Sequence, residues 1–341
     1  MNRYILRRIV QSIPVFFAIT LLSYTLILAA PGDPITFLMI NPNMSPEIAE
    51  SMRREMGLTD PPLVQYLYWL VGNDWTRIDR DGDGVDDAYG TRRGILRGDF
   101  GESLQNREPV FDLIMSRIPA TLTLTIPALI LGYGLGITLG LLAAVNRKGW
   151  FDQFVRFIST IGNAIPSFWF GLLLIIIFSV QLELLPMSGM RDITKRNTFD
   201  LWDRVSHMIM PVLVLSLGTI ASISRFIRAE VLEVQEQDFI RTAHAKGLNN
   251  NAIWWRHTIR NALIPVATFL GPALSGLLGG AVIIESVFSW PGMGRLVVNA
   301  AVQRDYPLVM GAVVMGAVLY IIGLIISDVL YAWFDPRIRF D

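Results

Sequence analysis

Along this chain, long apolar runs alternate with short polar stretches. The runs exceed what a strand or an amphipathic helix of a water-filled core requires. A hydrocarbon layer about 30 Å thick is crossed by about 20 mainly apolar helical residues. Six segments reach that length: Ile9–Ala30, Ala120–Val145, Ile161–Val180, His207–Ile227, Leu263–Val287 and Val309–Tyr331. Gly, Pro, Ser and Thr interrupt the second, fifth and sixth without putting a charge at the centre. A central Lys, Arg or Asp costs about 2.5–3.5 kcal/mol on insertion, whereas each Leu, Ile or Val returns about 0.3–0.6 kcal/mol, so one charge cancels several aliphatic residues. Glu285 and Asp328 lie near segment ends, within reach of the interface. His207–Ile227 is the most polar of the six, with Pro211, several serines and Arg225 at its end.

The pattern predicts an all-α polytopic membrane protein with six transmembrane helices. Residues 1–30 form the N-terminus and first span. Residues 31–118 form a long external segment, and residues 119–341 a core of five spans with a cytoplasmic loop at residues 228–260. Arg3, Arg7 and Arg8 ahead of the first run resemble the start of a signal peptide, whose apolar region is usually about 7–15 residues. Ile9–Ala30 is longer, so it is expected to remain as an anchor. Basic residues of the short loops, among them Arg147, Lys148, Arg228, Arg256 and Arg260, cluster on one side of this arrangement together with the N-terminal arginines. That side is the cytoplasmic one, which places both termini in the cytoplasm.

Composition strengthens the membrane reading. Hydrophobic residues make up 52% of the 341 and charged residues 17%, against about 25% charged in soluble domains; mean hydropathy is +0.45. No cysteine is present, which excludes disulfides, zinc-thiolate sites and iron–sulfur clusters. Lys plus Arg and Asp plus Glu are both 29, so nothing points to a nucleic-acid partner.

The familiar catalytic patterns are missing. The sequence contains no Gly-x-x-x-x-Gly-Lys-Ser/Thr phosphate loop, no Gly-x-Ser-x-Gly and no His-Glu-x-x-His. His207, His244 and His257 lack ligand spacing and read as structural or interfacial. An intramembrane protease or proton-coupled carrier would need ionisable groups at membrane depth. Uphill transport by such a chain needs energy delivered through another protein.

The loop at Arg228–Arg260 is suited to receive it. It reads as two short helical pieces. Val231, Leu232 and Val234 give the first an apolar side. Asp238 caps the second, which carries Phe239, Ile240, Ala243 and Ala245. Gly247 supplies a left-handed stop before Leu248 and a turn at Asn249–Asn251. So small an apolar face is not stable alone and must be buried, either on the chain's own helix ends or on a partner.

Asp238-Phe-Ile-Arg-Thr-Ala-His-Ala-Lys-Gly-Leu248 followed by His257-Thr-Ile-Arg-Asn-Ala-Leu-Ile-Pro265 resembles the "EAA" loop of ABC-importer permeases, in their dipeptide, oligopeptide and nickel branch. The resemblance runs through almost the whole chain. Ala30-Pro-Gly-Asp-Pro34, Gly98-Asp-Phe-Gly-Glu-Ser103, Arg117-Ile-Pro-Ala-Thr-Leu122, Phe288-Ser-Trp-Pro-Gly-Met-Gly-Arg295, Arg304-Asp-Tyr-Pro307 and Asp335-Pro-Arg-Ile-Arg339 occur in order. The short N-terminus and the Pro-Gly-Asp-Pro segment resemble the B-type, or first, permease subunit. Arg241-Thr242-Ala243 stands where the general pattern has Glu-Ala-Ala, and Gly247 to Pro265 is longer than the general spacing. The resemblance implies half of a translocation pathway with no catalytic site of its own. The other parts would be a second, C-type permease, two cytoplasmic ATPase subunits binding ATP and magnesium, and an extracytoplasmic solute-binding protein. The setting would be a bacterial or archaeal cytoplasmic membrane. It also implies that Asp238, Phe239, Ile240, Arg241, Ala243, Ala245, Lys246, Gly247 and Leu248 form the ATPase-coupling contact. Peptides are the expected cargo, while nickel, glutathione, oligosaccharide and haem stay open, and no substrate residue is assigned. A channel or secondary carrier needing no ATPase is the rival reading.

One stretch falls outside the resemblance. Asp79, Asp81, Asp83 and Asp87 occupy positions 1, 3, 5 and 9 of an acidic loop with Gly84 at position 6, a spacing that suits oxygen ligation of Ca²⁺. Gly90 stands where an EF-hand has its bidentate Glu, so the expected site is weak. Glycines at 132, 134, 136 and 140, and Gly271, Ser275 and Gly279, suit close helix approach.

Overall fold

The computed structural model describes residues 2–29, 35, 45–55, 57–79, 88–192, 200–266, 269, 272–273 and 281–334. Among the described residues, four helices are long and apolar enough to cross a membrane: Leu6–Ala29, Val110–Val145, Leu201–Gln235 and Tyr306–Ile326. They coincide with the first, second, fourth and sixth apolar runs. The second begins ten residues earlier than expected, and the fourth runs eight residues past Ile227 into the stretch read as loop.

The third run departs from expectation. In place of one span over Ile161–Val180, the helices Trp150–Ala164 and Ser167–Gln181 meet at a bend of 102°. Pro166 causes it: a proline pushes the preceding residue out of the helical region, and Ile165 is extended, at φ −77° and ψ 126°. The last seven residues of the second arm, Ile175–Gln181, are π-helical. Of the fifth run only the ends are well covered, as the helices Arg260–Leu263 and Val282–Val287. Its centre, with Gly271, Ser275 and Gly279, lies outside the described residues. So do Asp81, Asp83 and Asp87 of the acidic loop, the Pro-Gly-Asp-Pro segment and the Asp335–Arg339 motif.

The chain forms two compact units. One comprises Met1–Ile5, Ile118–Arg295 and Leu319–Asp341; the other comprises Leu6–Arg117 and Leu296–Val318. In the first, Val110–Val145 approaches Leu201–Gln235 along a glycine stripe. A Cβ at Gly132 would meet Thr219 at 2.8 Å, one at Gly136 would meet Ile223 at 2.8 Å, and one at Gly140 would meet Ser224 O at 2.7 Å. Gly134 faces open space instead. Trp150–Ala164 packs on Leu201–Gln235 from another side. There Arg228 makes a two-pronged ion pair with buried Asp152, with Nη2 to Oδ2 at 2.7 Å, and Ser159 and Ser224 share a 2.9 Å hydrogen bond. The end of this unit next to residues 228–260 is closed by Ala144, Ile223, Ile227, Val231, Ala262 and Val266.

In the second unit the first helix is held near its C-terminus. The Thr20 hydroxyl bonds Tyr66 at 3.0 Å, and Tyr24, Tyr66 and Trp69 group with centroids 5.6–5.8 Å apart. Short antiparallel strands pair Arg77 with Tyr89 and Ile78 with Ala88, so they close the base of the acidic loop that begins at Asp79. Nearby the Arg97 guanidinium grips Asp74 and holds its carboxyl below the usual carboxylate range.

Candidate functional site

The element positioned to do work is the turn that leaves Leu201–Gln235. Val231 is fully buried near the end of that helix, with Leu232 and Val234 packed beside it, so the helix is rigid almost to its last residue. The chain turns at Glu236 and Gln237 and re-enters a helix at Asp238–Ala245. Gln237 stands at the N-cap, where Asp238 was expected. Asp238 is instead the first helical residue and bonds Arg241 at 3.2 Å, both side chains being exposed. The negative charge still favours the helix N-terminus.

The exit is built as the sequence foretells. Gly247 has φ +75°, with its N–H on His244 O at 2.9 Å, and the Leu248 N–H reaches Ala243 O at 3.3 Å. That pair of bonds is a left-handed stop of the Schellman kind. Asn249 then caps the helix Asn250–Ile253 by accepting from Ala252 N–H at 2.7 Å. A π-helical segment, Trp254–Ile259, and the helix Arg260–Leu263 lead back to the core at Ala262.

The residues read as a single contact fall into two sets. Ile240 and Ala243, each 4% exposed, pack on Ile253 of the same chain. They hold the short helix down. Phe239 and Leu248, 43% and 42% exposed, stand bare, and Ala245, Lys246 and Gly247 are exposed with them. The result is a small apolar patch, edged by Arg241 and Lys246, on a helix anchored from beneath. One face of this loop is thus packed internally and the other is exposed.

Residues 136–340 match the family described as binding-protein-dependent transport system inner membrane component, and residues 1–125 match its N-terminal counterpart. The chain belongs to this family. It is an inner-membrane permease subunit and not itself a catalyst. Among its relatives is the oligopeptide transport system permease protein AppB of Bacillus subtilis, 42% identical over 341 residues and covering all of both chains. The dipeptide transport system permease protein DppB of Escherichia coli is 36% identical over 358 residues, covering 99% of each. A chain of the MetNI methionine ABC transporter, solved in inward-facing conformations, matches with a TM-score of 0.52 at 18% identity, over 67% of this chain and 99% of that one. That likeness extends to the fold.

Two charged features of this permease were not foreseen. The Asp152–Arg228 pair lies outside every motif, and its carboxylate sits ahead of the expected third span. Glu285, read as reaching the interface, is in fact fully buried. It accepts from the Thr121 hydroxyl at 2.6 Å and from Arg295 N–H at 3.0 Å. The Ser-Trp-Pro-Gly-Met-Gly stretch wraps it, because Gly292 and Gly294 let backbone pass where a Cβ would strike the carboxylate at 2.2 Å and 3.0 Å. Trp290 seals the fold by donating Nε1–H to Ala120 O at 2.7 Å. Hydropathy alone gave no signal for this.

Proposed function

We propose that this chain is the first of two permease subunits in an ATP-driven, binding-protein-dependent importer of di- and oligopeptides. In this reading six spans form half of the pathway, and both termini face the cytoplasm. Phe239, Ala245 and Leu248 enter a groove on one of two cytoplasmic ATPase subunits, while Arg241 and Lys246 pair with its surface. Closure of the ATPases then pushes on this short helix, which a tight turn at Glu236–Gln237 joins to the long helix Leu201–Gln235, and the pathway opens alternately to either side. The observation that carries the proposal is the bare Phe239–Leu248 face set on the buried Ile240–Ala243–Ile253 base. An exposed apolar face on a buried support is what transmission of force requires.

The test uses the assembled importer in vesicles. Phe239→Asp removes an apolar anchor, and Gly247→Val puts a branched residue at φ +75°. Each is expected to cut both peptide uptake and peptide-stimulated ATP hydrolysis by about tenfold or more, the scale of losing one interface anchor. Unchanged rates in both variants would sink the coupling role, and uptake by the chain without ATPases would favour the channel or carrier reading.

We also propose a calcium site at Asp79, Asp81, Asp83 and Asp87, supported by the paired strands that bring the ends of this loop together. Extracytoplasmic calcium at millimolar level is expected to slow proteolysis of the loop, and chelation to restore it. Equal cleavage under both conditions speaks against the site.

A further inference from the structure

The second unit contains a cavity of about 460 Å³, within the range of about 300–1,000 Å³ typical of small-ligand sites. Its apolar wall comes from Tyr24 and Leu28 of the first helix, Trp69 of Pro62–Val71, Phe100, and Met310 of the last helix. Glu102 and Arg107 stand at its rim, exposed and opposite in charge.

The rim is held in place. Ser103 N–H donates to Glu108 O at 2.9 Å and Arg107 N–H to Ser103 O at 3.0 Å, while Glu102 pairs with Pro109 as an antiparallel bridge. Beneath, the Ser103 hydroxyl donates to buried Asp305 at the start of the last helix. Asp99 braces the approach by accepting from Arg93 N–H at 2.9 Å and Gly101 N–H at 3.0 Å. The far wall is tied where Arg92 N–H meets Asn73 Oδ1 at 3.0 Å. A cavity shaped before its ligand arrives loses little affinity to ordering.

Two carboxylates, Asp99 and Glu102, and two guanidiniums, Arg92 and Arg107, line this aromatic interior. Asp99 is engaged by backbone N–H groups, and Glu102 and Arg107 are the more exposed pair at the mouth, an arrangement that matches a small zwitterion carrying a large apolar side chain. An acyl chain would fill the interior but offer no group to Glu102 and Arg107 at the rim. We propose that this cavity binds a short peptide in its zwitterionic form. The peptide ammonium sits at Glu102, its terminal carboxylate at Arg107, and an apolar side chain lies against Trp69 and Phe100. The inference rests on the peptide-import reading and adds to it a cargo site on the membrane subunit itself.

The chain has no cysteine, so Leu28→Cys introduces a single thiol in the cavity wall, and Ile27→Cys provides a second reporter should the first fail to fold. Alkylation by a maleimide is followed on the full-length permease in lipid nanodiscs. Leucyl-phenylalanine is expected to slow it at least fivefold, while the N-acetylated, C-amidated form does not. Adding Glu102→Gln or Arg107→Gln is expected to raise the peptide concentration needed for protection by about tenfold, the scale of a charge-assisted hydrogen bond. The proposal is overturned if the free dipeptide gives no protection, if the capped form protects equally, or if lysophosphatidylglycerol protects where the dipeptide does not. Peptide-stimulated ATP hydrolysis by the assembled importer is a separate readout. Stimulation without protection removes the cavity site and keeps the import reading; protection without stimulation does the reverse.

Discussion

Asp152 and Arg228 show how one pair of side chains can fix a helix crossing. The carboxylate is almost fully shielded, with its Oδ2 also taking Lys148 N–H at 3.0 Å, whereas the guanidinium keeps a fifth of its surface in contact with solvent. The two halves should therefore fail unequally. Arg228→Ala strands a buried negative charge and is expected to cost about 3–5 kcal/mol. Asp152→Ala is expected to cost less, because the arginine can swing outward. The double Ala variant is expected to be more stable than Arg228→Ala alone. Thermal unfolding of the purified permease measures all three, and equal losses in the two single variants would contradict the asymmetry. None of this was legible in the sequence. A hydropathy window averages Asp152 with its aromatic neighbours and cannot see its partner 76 residues later. Glu285 was hidden for a related reason, since its burial depends on a loop that folds back only after Gly292.

At the scale of elements, the glycine stripe separates what spacing reveals from what it conceals. Four glycines between 132 and 140 suggested close approach, and three of them, at intervals of four, make it. Gly134 is out of phase by half a turn and touches nothing. Gly136→Leu and Gly140→Val are accordingly expected to destabilise the permease by about 1–3 kcal/mol or more, as overpacked cores do. Gly134→Ala is expected to be neutral or slightly stabilising, as helix propensity dictates. Melting temperatures of the three variants decide the phase directly. The helical period made this pattern readable in advance. By contrast Pro166 lay in plain view inside the third run, but apolar length outweighed it in the reading, and the 102° bend went unforeseen. The helix Asp238–Ala245 was legible at its C-terminal stop, where Gly247 leaves one backbone choice. Its division into a buried and a bare face was not, because Ile253, which covers Ile240 and Ala243, lies on the next helix.

For the whole molecule the bend at Pro166 raises a question of parity. Each arm, Trp150–Ala164 and Ser167–Gln181, has 15 residues, about 22 Å of helix. Neither spans a 30 Å hydrocarbon layer alone without local thinning. If the bent pair crosses once, the chain crosses six times when Leu263–Val287 is included, and both ends lie on one side. If the pair enters and returns, the crossings number five and the ends must lie on opposite sides. Trp150–Ala164 carries Arg156 beside exposed Trp150, Phe154 and Phe157, the make-up of a helix lying along a membrane interface. On the single-crossing alternative the second arm makes the crossing, with local thinning of the layer. The absence of native cysteine allows this to be read with single substitutions and a membrane-impermeant maleimide on right-side-out vesicles. Asn2→Cys, Gln153→Cys and Lys246→Cys are expected to stay unlabelled until the vesicles are opened, while Asp60→Cys and Glu183→Cys label at once. Labelling of the Gln153 and Glu183 positions from the same side would turn the bent pair into a re-entrant hairpin. The shared cytoplasmic side of the termini would fall with it.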